Sequence, residues 1–360
     1  MARLGDICIK AASNIKQSDL EGNVGKYPIY GASGLIKTVD FYEQEKPYVA
    51  VVKDGAGVGR ILQCPAYSSV IGTLQYILPN EDVDVRYLAY AMTHMNLSKY
   101  YLGAAIPHIY FKDYSKEELL DHSKEEQQHI AAVLDKVSEL IDLRKRQLAK
   151  LDELVKSRFI ELFGDPEQNP NGYPIKDFDE ISVLITDGEH ATPRRTEKGI
   201  YLLSARNVLN HALQLDDVDY IDEDEYARIA RRVVPQAGDV LISCSGSIGR
   251  CCVVPDGLQF QMVRSAALIR FDDTINPVFA EWLITSDELQ RQIAQSATQS
   301  SQANLFQGKI RKLHGYVPPM ELQQQFAAFV EQTDKSKVVV QQSLDKLETL
   351  KKSLMQEYFG

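Results

Sequence analysis

Between positions 186 and 207 the chain reads TDGEHATPRRTEKGIYLLSARN, which crowds Thr186, His190, Thr192, Arg194, Arg195 and Arg206 together with Lys198, Ser204 and Asn207. A guanidinium suits the two acceptors on a guanine edge, and an Asn or Gln amide suits adenine. Hydroxyls and lysines suit phosphates. The loop TQSSQAN (298–304) adds Gln302 and Asn304, and its counterpart in an earlier stretch, IPHIYFK (106–112), offers His108, Tyr110 and Lys112. Lys37, Lys53, Arg60 and Arg250 complete the candidate nucleic-acid contacts. The chemistry indicated is recognition of base edges and phosphates.

Arg60 and Arg250 close two similar glycine turns, GAGVGR (55–60) behind YVAVV and SGSIGR (245–250) behind DVLIS. A glycine loop that cradles phosphates must open a helix whose N-terminus faces them. Here ILQCPAYS and CCVVPDG follow, and both read as strands. No Lys-Ser/Thr pair follows the glycines. The expected role is a turn between two strands, with glycine at positive φ or at a close backbone approach.

Catalytic chemistry finds no constellation. NPNG (169–172) is not the N/D-P-P-Y/F loop of an amino-group methyltransferase, and DEDE (222–225) lacks partners for a metal. Seven histidines show no H-E-x-x-H, and the serine of GASGL lacks the G-x-S-x-G frame. Five cysteines without a C-x2-C pair suggest reduced, structural thiols, neither a zinc site nor a disulfide framework. No catalytic residue, metal or cofactor is expected in this chain.

The elements that position these groups are duplicated. EYFG (357–360) repeats ELFG (161–164) at an offset of 196. At the same offset LDKLETLKKS lies over LAKLDELVKS, ELQQQFAA over EEQQHIAA, and QANL over IPHI. Upstream the offset falls to 192 for VFAEWLI over RYLAYAM, to 190 for the glycine turns and to 174 for FDEI over LGDI. The second copy therefore carries extra residues in its early part. Apolar residues recur at heptad spacing through Ile130, Leu134, Val137, Ile141, Leu148, Leu151, Val155 and Leu162, and again through Phe326, Val330, Val340, Leu344, Leu347, Leu354 and Tyr358. Each run predicts a helix of about 40 residues, roughly 60 Å long. Helices this long need a partner, most simply each other. Arg144, Arg158, Lys337 and Lys351 at seam positions are expected to weaken the pairing.

The expected fold is α+β: two globular domains, each with one curved sheet, separated by two long helices packed as an antiparallel coiled coil, under a pseudo-two-fold repeat. The expected segments are a first domain at 1–115, a first long helix at 116–164, a second domain at 165–317 and a second long helix at 318–360. At 360 residues there is room for two cores. The 44% apolar and 25% charged fractions are those of a soluble globular protein, and with no apolar run long enough to span a bilayer they point to the cytoplasm. A net charge of −10 argues against nucleic-acid binding unless the basic groups are segregated or a partner supplies more.

In this order the motifs resemble the specificity subunit of type I restriction-modification systems, over nearly the whole chain. The carriers are YPIYGASG; TDGEHATP with GIYLLSARNV; GDVLIS with GSIGR; and EEQQxIAxxLD followed by LxxLDELxKSxFxxxFGD. The resemblance implies two target recognition domains, each reading one half of a bipartite double-stranded DNA site. It implies that the helices act as a ruler and bind two modification (methyltransferase) subunits. Those subunits carry S-adenosylmethionine and flip the adenine, and restriction subunits join them in systems that cleave. Partner contacts are then expected from Gln127, Gln128, Leu148, Leu151, Phe163, Gln323, Gln324, Leu344, Leu347 and Phe359. One departure is the first helix start, DHSKEEQQ, which lacks the prolines of VPPMELQQ. The competing expectations are a nucleotide-binding enzyme using the Gly55–Arg60 loop and a coiled-coil adaptor with no DNA role.

Overall fold

The computed structural model describes residues 1–101, 107–296 and 304–360. They fall into two compact units, residues 1–147 with 340–360, and residues 148–339. The division cuts both long helices near their middles, whereas the expected segments kept each helix whole.

In the first unit the strand Tyr48–Val52 is buried at all five positions. Neighbouring side chains on a strand face opposite ways. Val49 and Val51 pack with Leu88 and Met92 of the helix Val85–His94, while Tyr48, Ala50 and Val52 pack with Ile29 and Val39 of a second sheet. Both faces are covered, so YVAVV is apolar throughout instead of alternating. Its sheet has four antiparallel strands in the order Cys8–Ala12, Leu74–Pro79, Tyr48–Val52, Ile61–Cys64. The second sheet runs Gly34–Val39, Tyr27–Gly31, Ser69–Val70, the first pair antiparallel and the second parallel.

The second unit repeats this order and these pairing senses. Its four-stranded sheet is Ser182–Asp187, Ala266–Phe271, Val240–Ser243, Cys251–Val253. Its three-stranded sheet is Asp219–Ile221, Ile200–Leu203, Phe260–Met262. Two sheets of three or four strands in each unit replace the one curved sheet expected, because a single sheet with a helix on one side would leave its other apolar face in water. The extra residues of the second copy include the hairpin Val208–Leu209 with Ala212–Leu213 and the helix Glu223–Ala230. All five cysteines lie buried in these cores, and burial pushes the thiols of Cys8, Cys64, Cys244 and Cys252 up to about 12.

The first long helix spans Lys124–Phe163 and the second Met320–Phe359, 40 residues each. The first was expected to start at 116. Instead Glu118–Leu119 pairs with Ala2–Arg3, as His314–Tyr316 pairs with Ile175–Asp177 in the second unit. Ser123 then opens the helix. Its hydroxyl accepts from the Glu126 N–H (3.3 Å) and the Glu126 carboxylate accepts from the Ser123 N–H (2.8 Å), a capping box in place of the missing prolines.

Within each unit the two helices pair in opposite directions. In the first, Ile130, Ala131 and Leu134 pack with Met355, and Arg144 Nε donates to Ser343 Oγ at 3.1 Å. In the second, Lys337 meets Asp152 at 2.7 Å and Phe163 meets Phe326 with ring centres 5.6 Å apart. The basic seam residues, expected to weaken the pairing, each have a partner. Besides Arg144 and Lys337, Arg158 lies over the Phe329 ring and pairs with Glu161, and Lys351 lies over Tyr90. Among the described residues no helix is long and apolar enough to cross a membrane.

Candidate nucleic-acid interface

Each glycine turn joins two antiparallel strands. Gly55, Gly57 and Gly59 have φ of +81°, +89° and +85°, and Gly246 and Gly249 have +72° and +82°. The Gly59 N–H donates to Val52 O at 2.8 Å, and the Gly249 N–H donates to Ser243 O at 2.9 Å. Each turn also holds the loop that precedes the long helix. In the first unit the Ile109 N–H donates to Lys53 O (3.0 Å) and Gly55 N–H to Pro107 O (3.0 Å). In the second the Leu305 N–H donates to Cys244 O (2.9 Å), and Asn304 bridges to Ser245. The glycine turn is thus a clasp that sets polar loop residues beside the sheet.

In the first unit this clasp assembles a basic, aromatic patch. Lys10, Lys53, Gln75, His108, Tyr110 and Lys112 line a cavity of about 370 Å³. The His108 imidazole contacts Asp54, and its ring lies 4.2 Å from the half-exposed Tyr110 ring, over which Lys112 Nζ sits at 5.2 Å. Lys10 was missed in the sequence because it stands alone on a strand, with no polar neighbour to mark it. Arg60 and Lys37 are placed elsewhere. Arg60 donates to Ala32 O (2.7 Å) and Lys37 to Leu20 O (3.0 Å), so both brace loops of the first unit.

In the second unit the predicted residues converge on an ion-paired surface. Arg194 meets Asp222 at 2.8 Å, Arg195 meets Asp219 at 3.1 Å, and Arg206 meets Asp219 at 3.2 Å and Asp217 at 3.6 Å. His190 contacts Asp187 at 2.8 Å, and Thr192 is exposed beside it. Two further arginines escaped the sequence reading. Arg232 pairs with Asp187, and Arg228 with Glu225 and Glu189. Their signal was the basic end of EYARIARR (225–232). The Asp222 carboxyl sits below the usual range, held by the Glu225 N–H and by Arg194. Thr186 is a correction: it is buried, its hydroxyl donating to Asp187 O (3.2 Å) and receiving Arg232 (3.4 Å), so it orients the surface from beneath. Arg250 is half-buried in its turn, and Gln302 lies outside the described residues.

The residues expected to meet partner subunits divide by burial. Gln128 and Gln324 are exposed, and Leu148, Leu151, Leu347 and Phe359 are half-buried. Leu344 is buried at the seam, and Phe163 is buried among Phe159, Phe279 and Phe326. Gln127 and Gln323 also turn inward. Gln127 Oε1 accepts from the Asp84 N–H (3.0 Å) and its amide donates to His122 O (2.9 Å). Gln323 Oε1 accepts from the Asn276 N–H (2.8 Å) and its amide donates to Thr274 O (3.0 Å) and Pro318 O (2.8 Å). Asp84 and Asn276 cap the matched helices Val85–His94 and Pro277–Ile284. Gln127, Gln323, Phe163 and Leu344 are therefore corrected from partner contacts to internal ties, because buried and satisfied groups offer nothing outward.

Residues 1–153 match the type I restriction modification DNA specificity domain family. The match spans the first globular part and most of the first long helix. Over its whole length it has the fold of the type I restriction-modification S subunit from M. genitalium, with a TM-score of 0.66 at 13% identity, covering 95% of that chain. A second solved structure, described as concerning complex assembly and conformational transition of the type I R-M system, matches with a TM-score of 0.55 at 15% identity, over 99% of this chain and 96% of that one. No curated protein matches the sequence. Such low identities carry the fold alone; the family match relates residues 1–153 to DNA specificity domains. Neither the nucleotide-enzyme nor the adaptor reading is supported: Gly55–Arg60 connects two strands rather than opening a helix, and the family matched over residues 1–153 is one of DNA specificity domains.

Proposed function

We propose that this chain reads a bipartite double-stranded DNA site, one half with each unit, and docks two modification (methyltransferase) subunits along its long helices. Those subunits carry S-adenosylmethionine, flip the target adenine and perform the catalysis. Restriction subunits join where the system also cleaves. The first unit contacts DNA through Lys53, His108, Tyr110 and Lys112, and the second through His190, Thr192, Arg194, Arg195 and Arg206. The complex works in the cytoplasm.

One observation carries this reading: the two units share strand order and pairing sense but present unlike surfaces. Like frames with unlike surfaces suit two different half-sites. Like helices suit two copies of one partner. The acidic balance of the chain fits partners that add basic surface around the DNA.

If the helices set the distance between the half-sites, deleting one heptad from the middle of each shortens them by about 10 Å. The tolerated spacer should then shrink by about three base pairs, at roughly 3.4 Å per pair. Methylation of a duplex library with graded spacers checks this. An unchanged spacer preference would refute the ruler.

A further inference from the structure

Asp219 holds two arginines at once. One carboxylate oxygen accepts from Arg195 Nε at 3.1 Å, and the other lies 3.2 Å from Arg206 Nη2. Asp217 stands 3.6 Å from the other Arg206 amine. The rest of this surface is built alike, with Arg194 on Asp222, Arg232 on Asp187 and Arg228 on Glu225. The first unit differs in part: Lys53 and His108 share Asp54, but among the described residues Lys10 and Lys112 meet no carboxylate, and Lys112 lies over an aromatic ring. A surface meant only to attract DNA would leave its cations bare.

These pairs are half exposed, with 47% of the Arg195 and Arg206 side chains and 34% of Asp219 open to solvent. Exposed pairs of this kind are weak, so a competing partner can exchange them. Every DNA sequence offers phosphates to a free guanidinium, and that contact says nothing about sequence. Asp219 biases the competition. Moving Arg195 or Arg206 onto a phosphate loses an ion pair and leaves a carboxylate facing an anion. Moving them onto guanine O6 and N7, with Asp219 accepting from a cytosine N4 amino group, leaves every group partnered.

We infer that Asp219 is a specificity-determining residue of the second unit: it withholds Arg195 and Arg206 from non-target DNA and releases them to a half-site whose base edges satisfy both guanidinium and carboxylate. The inference rests on the DNA-reading function proposed above.

The test uses the full chain in complex with its modification subunits. Fluorescence anisotropy measures affinity for a duplex carrying the methylated motif and for a random duplex, across salt concentrations. Asp219→Asn is expected to bind the random duplex about five- to tenfold tighter near 0.1 M salt, with a salt slope steeper by about one to two. The target-to-random ratio should fall about tenfold. Asp219→Glu should keep the ratio, a rescue that loss of structure would not give. Asp217→Asn, at a side chain 78% exposed and so without bearing on folding, should move random binding the same way by about twofold. Glu153→Gln on the first long helix removes the same charge from an exposed position and should change nothing. An unchanged ratio in Asp219→Asn, or a change matched by Glu153→Gln, overturns the inference while leaving the DNA reading intact. A wild-type complex that distinguishes no duplex overturns both.

Discussion

Removing the Gln323 amide strips three backbone groups of their partner in a fully buried position: the Asn276 N–H and the Thr274 and Pro318 carbonyls. Gln127 satisfies two, the Asp84 N–H and the His122 carbonyl. An unsatisfied buried group costs about 1–3 kcal/mol. Gln323→Ala is therefore expected to destabilise the chain by about 2–3 kcal/mol and Gln127→Ala by about 1–2 kcal/mol, read from denaturant midpoints at constant m-value. Equal and negligible costs would show that the ties do not matter. The residue types were legible before the fold: the EEQQ and ELQQ pairs stand 196 positions apart. Their direction was not. A glutamine at a helix start looks like a surface group, and only the cap it reaches, Asp84 or Asn276 in a distant stretch of chain, turns it inward. The same holds for Arg194, Arg195 and Arg206. Their presence was plain, but the carboxylates that hold them, Asp217, Asp219 and Asp222, are spread through DVDYID (217–222), a stretch with no motif to mark them.

The glycine turn shows what an element demands. Gly55 and Gly59 both have positive φ, but a Cβ on Gly55 would meet open space, whereas one on Gly59 would lie 2.6 Å from the Ser98 backbone nitrogen. Gly55→Ala bears only the left-handed backbone penalty of about 1–2 kcal/mol. Gly59→Ala adds a clash that backbone must move to relieve, so its melting temperature should drop at least twice as far. Equal drops would mean that the close approach is not a constraint. Elements were the most readable level. Strand before turn, strand after turn and two long helices all followed from period and punctuation, and the heptad seam located Ile130, Leu134, Val137, Ile141, Val155, Phe326, Val330, Val340 and Leu344 in buried positions. The failures were boundaries and pairing. Nothing in SKEELLDH (115–122) announces that Glu118–Leu119 will pair with Ala2–Arg3, because a two-residue strand has no period to read. Likewise the split into two sheets depends on which edge accepts Tyr27–Gly31, a long-range choice invisible to local pattern.

At the scale of the whole molecule, duplication is the fact from which the rest follows. Two units with one strand order, entered by matched short strands and left by matched helices, make a chain that presents two surfaces of different chemistry from one frame. Retaining the frame while changing the surface is how one scaffold can carry two recognition tasks. The repeat was legible through its offsets, and the falling offset correctly placed extra residues early in the second copy, where the hairpin 208–213 and the helix Glu223–Ala230 lie. The central claim is that one chain dictates both halves of a DNA site. Methylome sequencing of a host carrying the modification subunits, with and without this chain and with residues 175–316 replaced by the corresponding segment of another specificity subunit, tests it most directly. The expected result is a split motif, methylated only when the chain is present, of which the replacement alters one half and spares the other. A continuous motif, a motif indifferent to the chain, or a replacement that changes both halves would contradict it.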